Sequence, residues 1–197
     1  MIYAITSGRD VLGIMPTGAG KSLCYQIPAL MAGENGGITL VISPLISLMK
    51  DQVSALNQAG VHAAYLNSSL TSGQYYKALG YAREGRYPII YVAPERLLTP
   101  EFLDFAVHAK IAMVAVDEAH CVSQWGQDFR PGYLKIEEFL CTLPKRPVVS
   151  AFTATATAEV RDDIIDLLKL QDPVVTTTGF DRPDRKSTRL NSSHASK

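Results

Sequence analysis

The sequence of 197 residues lacks long apolar stretches, since its longest apolar runs are only about six residues. A helix that crosses a bilayer needs about 20 such residues, so we expect no membrane-spanning segment. The first residues also lack the charged stretch followed by an apolar one that marks an export signal. These absences predict a cytoplasmic protein without a membrane partner.

Cysteine is scarce, and its spacing argues against two common uses. The chain has three cysteines, an odd number: Cys24, Cys121 and Cys141. They lie far apart and form no Cys-x-x-Cys pair. Disulfide frameworks and structural zinc sites both need paired or closely spaced cysteines. We expect neither in this chain, and we predict that all three are reduced thiols in the core.

The chain has no net charge, with 19 basic and 19 acidic side chains. Residues 185–197 contain four basic side chains and no acidic one, which leaves 15 basic and 19 acidic side chains before them. A body with a net charge of −4 does not attract nucleic acid by bulk electrostatics. Any such binding must use local contacts such as backbone amides, hydroxyls and stacking.

Short apolar runs alternate with amphipathic stretches along the chain. This alternation, in a sequence that is 47% apolar, predicts one α/β domain with a doubly wound, mostly parallel sheet flanked by helices. The predicted strands are 11–15, 39–43, 63–66, 89–93, 111–117, 148–152 and 174–178, and the predicted helices are 21–31, 45–59, 72–84, 100–108, 133–140 and 158–168.

Residues 15–22, with the sequence Met-Pro-Thr-Gly-Ala-Gly-Lys-Ser, are here called the phosphate loop. Gly18 and Gly20 permit a tight turn in which backbone N–H groups and the next helix start point at a polyphosphate. Lys21 would reach the β- and γ-phosphates, and the Ser22 hydroxyl would bind Mg²⁺. The predicted nucleotide-binding residues are Thr17, Gly18, Ala19, Gly20, Lys21 and Ser22.

A plain glycine turn is the alternative for this motif, because Met15 stands where the usual pattern begins with glycine. The context favours phosphate binding, since a buried strand is predicted before the loop and a helix after it. That order of strand, loop and helix is what the motif requires.

A second motif, Asp117-Glu118-Ala119-His120, follows a continuous apolar run at 111–116. The carboxyl ends of parallel strands are where open α/β sheets bind ligands. Asp117 is suited to holding Mg²⁺, and Glu118 is suited to activating the water that attacks a γ-phosphate. Two carboxylates after a strand could also cap a helix, but beside a phosphate loop they predict nucleotide hydrolysis with Lys21.

The two motifs together resemble the superfamily 2 helicases of the Asp-Glu-Ala-His type. The flanking sequence resembles the RecQ DNA helicases in particular, and the segments that carry the resemblance are residues 15–30, 41–53, 91–97, 117–133 and 150–157. Residues 121–133, here called the aromatic loop, are the most specific of these. The resemblance covers nearly all of residues 8–183.

The resemblance implies the RecA-like fold of a first motor domain that uses ATP and Mg²⁺. It implies 3′–5′ unwinding of DNA in repair or recombination, with single-stranded DNA and duplex junctions as partners, and a location at the nucleoid in a bacterium. It also implies a second RecA-like domain and no zinc in this chain. The residues that it implies couple the ATP and DNA sites are His120, Gln124, Thr153 and Thr155. The residues that it implies bind DNA are Trp125, Phe129, Arg130, Ser43 and Pro44.

Two of these assignments have structural alternatives. Trp125 and Phe129 are four residues apart, so a helical turn could bury both, although Gly126 disfavours a continuous helix and Arg130 suits stacking near a phosphate. Residues 150–157 could be an ordinary strand-to-helix turn with Thr157 as N-cap. We expect Thr157 to cap the helix and Thr153 to couple the sites.

The ends of the chain depart from the RecQ pattern. We expect residues 1–183 to form the first motor domain without the segment that reads adenine, and residues 184–197 to be a disordered, non-native tail. The isolated chain is then predicted to have weak ATP turnover or none. The alternatives are a non-catalytic nucleotide- or DNA-binding fragment, or a different phosphate-loop ATPase.

Overall fold

The computed structural model describes residues 1–178. The predictions for residues 179–197, including the tail at 184–197, lie outside the described residues. Strands and helices alternate along the chain: α1 (Ile2–Thr6), β1 (Val11–Ile14), α2 (Lys21–Gly33), β2 (Ile38–Ile42), α3 (Ile46–Gln58), β3 (Ala63–Leu66), α4 (Ser72–Arg83), β4 (Ile89–Val92), α5 (Pro100–His108), β5 (Ile111–Val116), α6 (Lys135–Thr142), β6 (Val148–Thr153), α7 (Ala158–Leu167) and β7 (Val174–Thr177).

The seven strands form one sheet in the order β3-β4-β2-β5-β6-β1-β7, and every pairing is parallel. The apolar strand sequences explain this arrangement, because strands covered on both faces have no polar side to turn to solvent. The predicted doubly wound parallel sheet is confirmed.

Two apolar cores lie on opposite faces of the sheet. Adjacent strand residues such as Leu40 and Val41 point into different cores, as the pleat requires. Helices α1, α2 and α3 pack into the core that contains Val41, whereas α4, α5, α6 and α7 pack into the core that contains Leu40. The strand ends are therefore free to carry polar loops.

The strand order brings the two sequence motifs to neighbouring positions. Strand β6 lies between β1, which leads into the phosphate loop, and β5, which leads into Asp117. Because all strands are parallel, the loops that follow β1, β5, β6 and β2 share one edge of the sheet. Within residues 1–178, no helix is long and apolar enough to span a bilayer.

Two expectations about local structure need correction. The helix predicted at 133–140 begins as a 3₁₀ turn at Pro131–Leu134, and the α-helix occupies Lys135–Thr142. The three cysteines are not all in the core: Cys121 is buried, Cys24 is half-buried and Cys141 is exposed. Cys141 faces solvent because α6 buries its other face, which carries Ile136, Phe139 and Leu140.

Candidate nucleotide site and the aromatic loop

The phosphate loop owes its shape to two glycines in the left-handed region. Gly18 has φ of 84° and Gly20 has φ of 80°, conformations that L side chains rarely adopt. Gly20 is the N-cap of α2, and no side chain among the described residues caps that helix start. The first amides of α2 are thus available to an anion, and the helix dipole adds to their attraction.

Lys21 faces the two carboxylates that follow β5. Its Nζ lies 3.4 Å from Glu118 Oε1 and 4.0 Å from Asp117 Oδ1. Burial raises the pKa of Asp117 to about 6, although the nearby Lys21 ammonium acts in the opposite direction. The predicted catalytic residues Lys21, Asp117 and Glu118 therefore converge on one point, together with the first turn of α2.

The backbone turns sharply at Glu118, which has φ of 47° and ψ of 47°. This left-handed conformation is costly for a residue with a side chain, and such strain is concentrated at functional sites. The turn places Glu118 beside Lys21 and starts a 3₁₀ turn at Ala119–Val122, in which the Cys121 N–H donates to Glu118 O at 2.9 Å. A strained backbone thus aims the proposed general base.

His120 connects the carboxylates to the end of β6. Its Nδ1 lies 2.9 Å from Thr153 Oγ1 and 3.5 Å from Glu118 Oε2. The Thr153 hydroxyl donates its own hydrogen to Thr155 O at 3.0 Å, so it accepts from His120. In this arrangement a proton on His120 Nδ1 can be donated to the Thr153 hydroxyl or to the Glu118 carboxylate.

Thr153 also holds the phosphate loop directly. It pairs with Ile14 in the sheet register, and its carbonyl accepts from the Met15 N–H at 2.9 Å. Its carbonyl therefore contacts the phosphate loop while its hydroxyl contacts His120. Thr157 accepts from the Val160 N–H at 3.3 Å, which confirms its predicted role as N-cap of α7.

The aromatic loop presents Trp125 to solvent, with 79% of the residue exposed. The alternative that a helical turn buries both Trp125 and Phe129 is wrong, although Phe129 itself is half-buried. Gln124 is exposed beside Trp125, and Thr155 is exposed across from it. The exposed indole is compatible with the predicted contact to a DNA base.

Arg130 and Ser43, both predicted to bind DNA, are not fully exposed in this structure. Both guanidinium contacts to Asp128 are short, at 2.8 and 3.0 Å, and Arg130 also donates to Pro44 O at 3.3 Å. Asp128 therefore pairs with the guanidinium, and the phosphate contact of Arg130 stays a prediction. Ser43 is only 1% exposed, because it directly follows the interior strand β2, so its hydroxyl does not face solvent.

Tyr133 belongs to the nucleotide site, although the sequence predicted only that it lies in the aromatic loop. It is fully buried, and its hydroxyl donates to Asp117 O at 2.8 Å. The aromatic loop therefore begins beside Glu118, extends to the surface at Trp125 and returns to Asp117. The one available signal was its position directly after Pro131-Gly132, which favours a return turn toward the core.

Comparison with known proteins shows the family. A model of the DEAD/DEAH box helicase family matches residues 1–164. The chain belongs to that family. Two of the curated relatives are named ATP-dependent DNA helicase RecQ: the protein of Bacillus subtilis is 53% identical over 92% of this chain, and that of Pasteurella multocida is 48% identical over 95%. The predicted resemblance to RecQ helicases is confirmed.

This chain spans only about 30% of the length of these two relatives. Among solved structures, the DUF1998 helicase MrfA bound to DNA superposes with a TM-score of 0.71 at 18% identity, over 90% of this chain and 26% of that one. This likeness supports the predicted RecA-like helicase fold.

Proposed function

We propose that this chain is the ATP-binding first motor domain of a 3′–5′ RecQ-type DNA helicase. The observation that carries the proposal is the continuous set of contacts from Lys21 through Glu118 and His120 to Thr153. It joins the phosphate loop to the carboxylates and to the end of β6. Such an arrangement can bind a nucleotide, activate water and respond to a neighbouring element.

Each of these residues has a distinct chemical role in the proposal. Lys21 moves from the carboxylates to the β- and γ-phosphates when nucleotide binds, because phosphate oxygens carry more charge. Glu118 then accepts a proton from the attacking water. His120 holds Glu118 on one side and Thr153 on the other, so that its orientation depends on both elements.

The oxygen donors of the site fit Mg²⁺. The ion prefers oxygen ligands and keeps several waters, so one carboxylate, one hydroxyl and the nucleotide phosphates are sufficient. Asp117 would supply the carboxylate, ionised at pH 7 given its pKa of about 6, and Ser22 the hydroxyl. When bound, Mg²⁺ would neutralise charge that develops on the phosphates.

The exposed aromatic loop supports the DNA part of the proposal. Trp125 offers a ring for base stacking, and this contact does not require a basic surface. Local contacts of this kind suit a body with a net negative charge. We further propose that a second RecA-like domain completes the ATP site with arginines, that the protein acts in DNA repair or recombination, and that it is cytoplasmic.

Lys21→Ala is expected to weaken binding of Mg-ATP by about 10–150-fold, the value of a hydrogen bond to a charged group. The alanine lacks the ammonium that would contact the phosphates. Isothermal calorimetry on this chain provides the measurement, and Lys50→Ala on the exposed face of α3 is the control. Equal affinity in the Lys21→Ala and unmodified chains would refute the nucleotide assignment.

Trp125→Ala is expected to raise the concentration of single-stranded DNA needed for half-maximal ATPase stimulation about 5–150-fold, since stacking contributes about 1–3 kcal/mol per base. ATP affinity should be unchanged. The measurement is DNA-stimulated ATPase of the full-length protein, with Tyr3→Ala as control, because Tyr3 is similarly exposed at 83% but lies on α1. Normal stimulation in a folded Trp125→Ala protein would remove the DNA contact.

A further inference from the structure

A hydrogen bond joins the aromatic loop to α7, forty residues away along the chain. The Ser123 hydroxyl donates to Asp163 Oδ2 at 2.6 Å and accepts from the Trp125 backbone N–H at 3.1 Å. Ser123 is fully buried, whereas Asp163 is half-buried on α7. Because the hydroxyl makes both bonds, it fixes the Trp125 backbone relative to α7.

A close backbone approach holds the same loop from its other side. The Gly126 N–H donates to Ser123 O at 3.1 Å. A side chain at Gly126 would collide with the carbonyl oxygen of His120, so only glycine allows this approach. The backbone around Trp125 is therefore held between α7 and the turn that carries His120, while the indole itself stays exposed.

A cavity of about 230 Å³ lies between the loop and the start of α7. Trp125 lines one side of it, and His120, Thr157 and Val160 line the others. The cavity therefore separates the indole from α7 and from the imidazole that contacts Glu118. Trp125 therefore lines the same cavity as His120, whose imidazole contacts Glu118.

We propose that Asp163 is a positioning residue for Trp125. Through Ser123 it holds the loop backbone so that the indole is placed for a base at the mouth of the cavity, and it links that contact to α7. The proposal rests on the proposed function in one respect, namely that Trp125 contacts single-stranded DNA. The anchoring of the loop by Asp163 is independent of it.

Trp125 is the only tryptophan of the chain, so its fluorescence reports on the loop directly. We expect Asp163→Ala and Ser123→Ala to lower the fluorescence anisotropy of Trp125 in the free chain, because the indole gains local motion. Asp163→Asn should keep anisotropy near the unmodified value, since its amide oxygen can still accept from Ser123. Asp162→Ala is the matched control, because Asp162 is exposed on the same helix and pairs with Arg161.

The second measurement is the affinity of the same chains for fluorescein-labelled oligothymidylate. Asp163→Ala should weaken binding about two- to tenfold, the cost of ordering one loosened side chain on binding. Asp163→Asn and Asp162→Ala should bind as the unmodified chain does, and Mg-ATP affinity should be the same in the unmodified chain and in every variant.

Each outcome decides between the two claims. Unchanged anisotropy in Asp163→Ala, or an equal fall in Asp162→Ala, overturns the anchoring role. A fall in anisotropy without loss of DNA affinity overturns the positioning role, provided that Trp125→Ala does weaken binding. If Trp125→Ala also binds oligothymidylate normally, the DNA contact of the proposed function is wrong. The anisotropy result alone then tests whether Asp163 anchors the loop.

Discussion

Glu118→Gln is expected to lower ATP turnover about 10²–10⁴-fold in the full-length protein, the usual contribution of a general base. Glutamine keeps the shape of the side chain but cannot accept a proton from water. Nucleotide binding should be retained, because the phosphate loop and Lys21 are untouched. Steady-state ATPase at saturating DNA gives the turnover, and calorimetry gives the affinity.

The surroundings of Glu118 make this variant easy to interpret. Its carboxylate lies between Lys21 Nζ at 3.4 Å and His120 Nδ1 at 3.5 Å, and an amide oxygen can still accept from either. The left-handed backbone is the same for both residues, so the fold should not change. Glu138→Gln, on the exposed face of α6, is the control.

Two results would contradict the assignment of Glu118. Turnover within about threefold of the unmodified rate, about 0.7 kcal/mol in barrier, would place the general base elsewhere. Loss of nucleotide binding in parallel with turnover would show that Glu118 supports the site structurally. Absence of turnover in the unmodified full-length protein would favour the alternative of a non-catalytic nucleotide- or DNA-binding module.

The convergence of Lys21, Asp117 and Glu118 could be predicted from the sequence for a simple physical reason. Apolar strands that alternate with helices form a parallel sheet, and parallel strands end at one edge. The loops that follow β1 and β5 therefore lie at the same edge, and the observed strand order β5-β6-β1 places them close together. The same reasoning placed Thr153 at that edge, because it ends the strand between them.

Contacts made by side chains within loops could not be predicted in this way. The ion pair of Arg130 with Asp128, two residues earlier, was not predicted. Tyr133 was expected in a DNA-facing loop, but the loop turns back and buries the ring beneath Asp117. The Ser123–Asp163 bond joins positions that no periodicity connects. Such pairs depend on the path of the loop, which local propensity does not determine.

The contact between Asp10 and Arg146 was also invisible in the sequence, and it has the largest expected effect on stability. Asp10 is only 3% exposed, just before β1 at the edge of the sheet opposite the nucleotide site. Arg146 donates to both of its carboxylate oxygens, at 2.6 and 3.2 Å. The backbone N–H groups of Val149 and Gln171 donate to the same carboxylate at 2.9 and 2.7 Å.

Arg146→Met is therefore expected to lower the free energy of unfolding by about 3–5 kcal/mol, as is usual when a buried charge loses its partner. The methionine fills much of the volume, but the Asp10 carboxylate keeps only its two backbone donors. The Lys169 carbonyl also loses the N–H that Arg146 donates at 2.9 Å. Urea unfolding followed by circular dichroism gives the free energy of unfolding.

Arg83→Met is the matched control, because the Arg83–Asp104 pair is equally short at 2.7 Å but both side chains are about half exposed. Exposed pairs contribute about 0–1 kcal/mol, so this variant should change the free energy of unfolding little.

Adding Asp10→Asn to Arg146→Met should recover part of the loss, because the neutral amide costs less to bury unpaired. Two results would show that Asp10 and Arg146 are not coupled. One is that Arg146→Met lowers the free energy of unfolding no more than Arg83→Met does. The other is that Asp10→Asn lowers it as much in the double variant as it does alone. The three strands that meet at Asp10 would then be held by their backbone ladder alone.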